Sequence, residues 1–266
     1  MKKIHLPLFA VIFIIYSCNT TKPANKPFKP DVYINAAVVR VDTLTWVDSS
    51  RNRVIPIAIY NRDYLTNKKD EQHKNIRKPL VILNPGYGGT REGYRYIANN
   101  LAINGYLVVT IQHDLSTDDS LPKTGDIYKL RKPFWDRGVK SVLFVTEKLK
   151  KEYPKLDYHH IILIGHSNGG DIAMLIANEY PEFAKTVITL DNRRVPFPRS
   201  SSPKIFSIRS GDQPADPNVL PSAEGQERYG IKIVKVATKH NDMGGAATDA
   251  EKKEINDYIL DFLKNN

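Results

Sequence analysis

The residues best suited to chemistry are gathered in one stretch, Gly165-His166-Ser167-Asn168-Gly169-Gly170. It satisfies G-x-S-x-G, follows the apolar run Ile161 to Ile164, and opens a helical stretch. In that context the motif places a serine on a sharp strand-to-helix turn, with the hydroxyl clear of the sheet. A serine hydroxyl is a weak nucleophile, so a base must take its proton. Where strand, turn and helix present the serine in this way, acid and histidine follow it in the chain. His240, in the loop HNDMGG after the strand Ile231 to Val236, is the only histidine downstream of Ser167. The others are placed differently. His73 lies in a charged loop, His159 and His160 precede the nucleophile strand, and His113 ends a strand where a local hydrogen bond is expected. His166 sits inside the turn, where its ring is expected to pack beneath it.

The acid must fix the tautomer of His240 and stabilise its imidazolium, so it belongs at the C-terminal edge of the sheet. Three residues compete. Asp212 and Asp216 lie in the loop after the strand KIFSI, and Asp191 ends the strand TVITL. Counted from the start of KIFSI, Asp212 falls where the acid is expected, and it is the leading candidate. Counted back from the next helix, Asp216 fits better. The losers are expected to cap turns or to pair with Arg193, Arg194 or Arg209. The oxyanion needs two preorganised N–H donors. One is expected from the backbone of Asn168, directly after the nucleophile. The other is expected from Tyr87 in NPGYGG, whose glycines let the loop fold close to the serine.

Alternating strands and helices must position these groups. Val32 to Val47 and Arg53 to Tyr60 are rich in β-branched and aromatic residues around Asp48-Ser49-Ser50 and read as a hairpin. Residues 61–78 read as a surface loop. Continuous apolar runs at 79–84, 106–112, 161–164, 186–190, 204–208 and 231–236 read as strands buried on both faces. Helical spacing is read at 92–104, 136–153, 169–180, 221–229 and 250–263. Residues 114–134 show no period and are expected to form a loop or small lid. The whole predicts a mostly parallel sheet covered on both sides by helices.

The 266 residues, 41% hydrophobic and 26% charged, suit one globular domain. The net charge of +10 is spread over isolated basic pairs, without a basic run or aromatic-basic alternation, so no nucleic-acid partner is expected. No H-E-x-x-H occurs and His159-His160 are adjacent, so neither a metal nor another cofactor is expected. Met1-Lys2-Lys3 followed by the apolar run Ile4 to Tyr16 fits a signal h-region too short to span a bilayer. Residues 19–31 are polar and proline-rich and read as a tether, leaving 32–266 as the folded domain. Oligomeric state is not legible.

These residues carry two resemblances. Ile15-Tyr16-Ser17-Cys18 resembles the bacterial lipoprotein signal, which implies cleavage before Cys18, lipidation of its thiol, and attachment to an extracytoplasmic membrane surface. From about residue 32 to 264 the chain resembles the α/β-hydrolase superfamily. Within it the likeness is to the branch of dienelactone hydrolases, bacterial polyester hydrolases and platelet-activating-factor acetylhydrolases. It rests on DSSRNRVIPIAIY, NPGYGG, NGYLVVTIQHD and GHSNGG. The resemblance implies an α/β-hydrolase fold and serine esterase or lipase chemistry on a small-molecule or lipid ester. Acyl transfer, amide cleavage or a non-catalytic binding role are its alternatives. It leaves the acid open. The acetylhydrolase pattern corresponds to Asp191 in LDNRR, and the polyester-hydrolase pattern to Asp212. The chain lacks the C-terminal cysteine pair of the polyester hydrolases.

Overall fold

The computed structural model describes residues 38–63 and 77–266. The signal, Cys18, the tether and most of the 61–78 loop lie outside the described residues. The hairpin comes first, β1 (Val38–Asp48) and β2 (Arg53–Asp63), antiparallel throughout. Its turn is organised by Asp48, whose carboxylate accepts the Ser50 N–H at 3.2 Å and the Ser50 hydroxyl at 2.6 Å. This is an aspartate turn reinforcing a two-strand reversal.

The strands β3 (Pro79–Asn84) and β4 (Leu107–Ile111) are buried along their whole length. Strands β5 (Asp157–His166), β6 (Thr186–Leu190), β7 (Lys204–Arg209) and β8 (Lys232–Lys235) follow. The eight strands lie in the order β1-β2-β4-β3-β5-β6-β7-β8. β2 pairs antiparallel with β4, and every pairing from β4 to β8 is parallel. Parallel strands need crossover helices, which is why unbroken apolar runs such as PLVILN are stable here. On one face α2 (Ile127–Glu152) and α3 (Ser167–Glu179) enclose a core containing Trp135, Val142, Leu163 and Ile172. On the other, α1 (Arg95–Ile103) and α5 (Asp249–Lys264) enclose Ile97, Val108, Ile164 and Ile259. The short α4 (Ala223–Tyr229) precedes β8.

Several expected boundaries move: β2 runs on to Asp63, into the stretch read as a loop, β5 begins at Asp157 rather than Ile161, and the largest change is in α2. Helix α2 starts at Ile127 rather than near 136, so the stretch read as a lid contracts to about 114–126. The Asp126 carboxylate caps the new start by accepting the Lys129 N–H at 3.1 Å. Pro133, one reason the stretch reads as irregular, lies on the exposed side of the helix, where water can take up the carbonyl it leaves without a donor.

Candidate active site

Strand register builds the site. His166 pairs with Leu190 and Leu190 with Ile208. The next residues along, Ser167, Asp191 and Arg209, therefore stand in a row at the C-terminal edge of three neighbouring parallel strands. Ser167 has φ +49° and Asp191 φ +58°, both in the left-handed region that L residues avoid. For Ser167 this is the strained turn that turns the chain straight from β5 into α3. Two glycines make that turn sterically feasible. A Cβ on Gly165 would fall 2.3 Å from the Gly169 carbonyl oxygen, and one on Gly169 would fall 2.1 Å from that of Asn84.

His240 arrives in a 3₁₀ turn, His240–Gly244, after β8. Its Nε2 lies 2.9 Å from Ser167 Oγ, and its Nδ1 lies 2.6 Å from Asp191 Oδ2. The acid beside the ring is thus Asp191. Asp212, the leading candidate from the sequence, does not meet the imidazole: its Oδ1 accepts the His240 main-chain N–H at 2.8 Å. Asp216 pairs with Arg194. The reason is register. Asp191 is level with Ser167 on the adjacent strand, whereas Asp212 lies beyond the end of β7, on the side of the backbone rather than the ring.

The edge of β7 instead supplies partners for the acid. Arg209 Nη2 lies 2.9 Å from Asp191 Oδ1, and Arg209 Nη1 donates to the Asn192 carbonyl at 2.5 Å. The Ser210 hydroxyl donates to Asp191 Oδ2 at 2.5 Å, and its N–H to Oδ1 at 3.2 Å. Burial pushes the Asp191 carboxyl up, but the His240 hydrogen bond, the Arg209 charge and Ser210 outweigh it and hold it below its ordinary value. Asp191 is therefore ionised at neutral pH despite complete burial.

The loop after β3 is tied on both sides of Tyr87. The Gly86 N–H donates to the Tyr94 hydroxyl at 3.0 Å, and the Gly88 N–H to Asp114 Oδ2 at 3.0 Å. The Tyr87 N–H between them has no acceptor among the described residues. Asn168 opens α3, where the first N–H groups have no intrahelical partner. Its side chain is fixed by Trp135, whose Nε1 donates to Asn168 Oδ1 at 2.8 Å. Tyr94 also reaches His166, with its hydroxyl 2.6 Å from Nδ1. Burial pushes the Tyr94 hydroxyl up to about 12, so it keeps its proton. Burial, then the neighbouring His240, pushes His166 down to about 3, so that ring is neutral and accepts at Nδ1. His166 packs 4.8 Å from the His240 ring, centroid to centroid, beneath the turn as expected.

His113 is a local structural residue: its Nε2 lies 2.9 Å from Asn84 Oδ1. Sequence reasoning passed over Ser210, Tyr94, Trp135 and Asp171, and it named Arg209 only as a partner for whichever acid lost. The buried Asp171, in α3, accepts the N–H groups of Arg193, Arg194 and Val195 at 3.1, 2.8 and 3.0 Å, all through Oδ1. It pins the loop that follows the acid to the helix that follows the nucleophile. A charged residue ending an otherwise apolar strand, as in KIFSIR, was the available signal for Arg209. For Tyr94 and Trp135, none existed beyond aromatic identity.

Taken together, a hydroxyl, an imidazole and a carboxylate are in hydrogen-bonded sequence. This is an arrangement for acyl transfer. Comparison with known proteins finds the same fold elsewhere. The family model described as alpha/beta hydrolase fold matches residues 79–209. A protein of Arthroderma benhamiae named "Probable 1-alkyl-2-acetylglycerophosphocholine esterase" is 29% identical over 141 residues, 48% of this chain. The match spans 35% of that relative's length. A ferulic acid esterase from Streptomyces cinnamoneus is 17% identical, with a TM-score of 0.60 over 88% of this chain and 91% of its own. An esterase from Rhizomucor miehei is 14% identical, with a TM-score of 0.58 over 86% and 83%. At these identities the structural likeness is one of fold.

Proposed function

The chain has the α/β-hydrolase fold, and from that premise we propose that it is a serine hydrolase of carboxylic esters, with Ser167 as nucleophile, His240 as base and Asp191 as the residue that orients the base. The single observation that carries this is the unbroken run from Ser167 Oγ through both His240 nitrogens to Asp191, at 2.9 and 2.6 Å.

The geometry supports the following course. His240 Nε2 takes the Ser167 proton as Oγ bonds to the acyl carbon, and the carbonyl oxygen gains the charge. The N–H groups of Tyr87 and Asn168 receive that oxyanion. Removing one such donor typically costs about 10²–10³ in turnover. Collapse breaks the bond to the alcohol oxygen, which takes the proton from His240 and leaves an acyl-Ser167. Water, deprotonated by the same imidazole, then attacks the acyl carbon, and the acid departs as Ser167 recovers its proton. Asp191 keeps Nδ1–H directed at itself throughout and stabilises the imidazolium without becoming protonated. The relatives named as esterases of acetylglycerophosphocholine and of ferulic acid are compatible with this reaction class. The reading extends to residues 1–18 as a lipoprotein-type signal, with Cys18 as the lipidated residue that holds the enzyme on an extracytoplasmic membrane surface.

One experiment addresses both parts. A fluorophosphonate probe labels the full-length protein expressed in a bacterial host, and the labelled band follows the membrane fraction. Labelling disappears in Ser167→Ala, and Cys18→Ala releases the label to the soluble fraction. Equal labelling of the wild type and Ser167→Ala removes Ser167 from its role. Unchanged membrane association in Cys18→Ala removes the anchor.

A further inference from the structure

Tyr94 stands just before α1, and three segments of the site close on its side chain. Its hydroxyl accepts the Gly86 N–H of the loop after β3 at 3.0 Å, and it lies 2.6 Å from His166 Nδ1 in the turn that presents Ser167. The turn that carries His240 packs on the same hydroxyl, so closely that a Cβ on Gly244 would fall 3.3 Å from its oxygen. Two residues along, the Tyr96 hydroxyl donates to the Met243 carbonyl of that turn at 2.9 Å.

These bonds have a direction. A main-chain N–H only donates, so the hydroxyl accepts from Gly86 and still has its own hydrogen to place. Among the described residues its other hydrogen-bond partner is His166 Nδ1, which therefore accepts and leaves the ring hydrogen on Nε2. That Nε2 is buried without a hydrogen-bond partner among the described residues, so the Tyr94 bond is the one that orients the ring. At the other end, the Gly86 carbonyl accepts the Gly89 N–H at 2.9 Å. This carbonyl shares a planar peptide with the Tyr87 N–H, so the turn 86–89 sets the plane of that N–H, and Tyr94 sets where the turn stands. Packing does not call for the hydroxyl. A phenylalanine would fill a site that is 4% exposed without bringing in a polar group to satisfy.

We propose that Tyr94 is a positioning residue for the reaction: its hydroxyl ties the loop that carries the Tyr87 N–H to the turn that carries Ser167, and so holds oxyanion donor and nucleophile at one spacing. This rests on the ester-hydrolase reading above and adds to it a residue that touches neither substrate nor reacting atoms. Its effect falls on the transition state. The tie matters little while the acyl carbon is trigonal and its oxygen uncharged, and most once the carbon becomes tetrahedral and the oxygen has gained the charge.

The test is Tyr94→Phe, assayed with 4-nitrophenyl butyrate and with two matched ketones. Ser167 Oγ bonds to the carbonyl carbon of 1,1,1-trifluoro-2-octanone, its proton passes to His240, and the ketone oxygen becomes an oxyanion. The matched 2-octanone stays trigonal. Losing the tie is expected to lower kcat/KM by about 10- to 100-fold, chiefly through kcat, because a displaced donor forfeits part of what its removal would cost. The inhibition constant of the trifluoro ketone rises by the same factor, and that of 2-octanone changes by less than about twofold. A role in packing alone would move both ketones together or neither. The second readout is the pair His166→Asn and His166→Leu. Both lose the ring, but Asn keeps an acceptor near the place of Nδ1 and Leu does not. The Asn variant is expected to keep about fivefold more kcat/KM than the Leu variant, and this pair decides the matter should circular dichroism show that Tyr94→Phe does not fold. A folded Tyr94→Phe within about threefold of the wild type, parallel shifts of both ketones, or equal losses in the two His166 variants overturns the positioning role and leaves the esterase standing. A wild type that neither cleaves the ester nor takes the fluorophosphonate at Ser167 overturns the parent reading, and this proposal with it.

Discussion

Asp171 and Asp191 stand at the same edge of the sheet, at 2% and 0% exposure, and both hold main-chain N–H groups. They are driven in opposite directions. Among the described residues Asp171 has three N–H donors and no ion pair, and burial pushes it up to about 6. Asp191 has the ring of His240, the hydroxyl and N–H of Ser210 and the guanidinium of Arg209, and it is held below its ordinary value. The difference shows what each kind of partner can do in a dry interior. Peptide dipoles lower the cost of a buried carboxylate without cancelling it, whereas a hydrogen-bonded counter-charge more than cancels it. A loop tether tolerates partial protonation. An acid that must keep a histidine in one tautomer does not.

The sharpest way to break this contrast is to neutralise each acid beside His240 in turn. Asp191→Asn retains the shape but offers the wrong donor to Nδ1, and kcat for a neutral nitrophenyl ester is expected to fall by about 10⁴. Asp212→Asn still accepts the His240 main-chain N–H through its amide oxygen, so the loss is expected to stay below about tenfold. Steady-state kinetics on the two variants, with circular dichroism to confirm folding, reads the result. A larger loss in Asp212→Asn would return the acid to the position first read from the sequence.

Removing the counter-charge comes next in size. Arg209→Met leaves Asp191 buried with only His240 and Ser210, and breaking a buried pair in this way typically costs about 3–5 kcal/mol of stability. Two consequences for activity run the same way. Burial raises the Asp191 pKa once the guanidinium is gone, and the Asp191 charge, no longer shared, stabilises the His240 imidazolium more strongly. The acid limb of the kcat/KM profile is therefore expected to move to higher pH. The groups facing His240 are Asp191 just past β6, Ser167 and His166 from the turn between β5 and α3, and Asp212 at its main-chain N–H. Of these only Asp191 is altered by the substitution. An unmoved limb would mean that Arg209 only fastens the loop.

How much of this was legible follows from what kind of information each residue needed. Ser167 and His240 were readable because motif and chain order are one-dimensional facts. The fold was readable because buried parallel strands give unbroken apolar runs, as in PLVILN and IILI. The acid was not, because two rulers along the chain favoured Asp212 and Asp216, while the deciding fact was lateral. Strand β6 brings Asp191 level with Ser167, and the edge of β7 is occupied by Arg209 and Ser210, which serve the acid instead of supplying it. The start of α2 was missed because Pro133 and a charged surface face hid a helix whose buried side holds Trp135. Tyr94, clasping both the oxyanion loop and His166, joins residues 72 apart, a contact that no local pattern announces.

The smallest effect tests the other aspartate, and its sign is set by linkage. The folded-state pKa of Asp171 is raised, so the stability it contributes is fully present below its unfolded value of 3.8 and is lost as pH rises through about 6. The whole displacement corresponds to about 3 kcal/mol, of which roughly 2 kcal/mol falls above pH 4.5. Asp191 runs in the opposite sense, but its window lies below the ordinary carboxylate range. Burial holds His113 and His166 at about 3, so their contributions to stability are lost as pH falls through the same window, and the raised Asp114 adds to the Asp171 effect. Only the difference between the wild type and an Asp171 variant, in urea unfolding at pH 4.5 and pH 7, isolates Asp171. Asp171→Asn keeps an oxygen for the N–H groups of Arg193, Arg194 and Val195 while removing the charge. From pH 4.5 to pH 7 the wild type is expected to lose up to about 2 kcal/mol relative to the variant, with kcat for neutral esters changed by less than about threefold. Equal pH slopes in the two proteins would show that Asp171 is as well compensated as Asp191, and the contrast between dipoles and a full counter-charge would no longer explain this site.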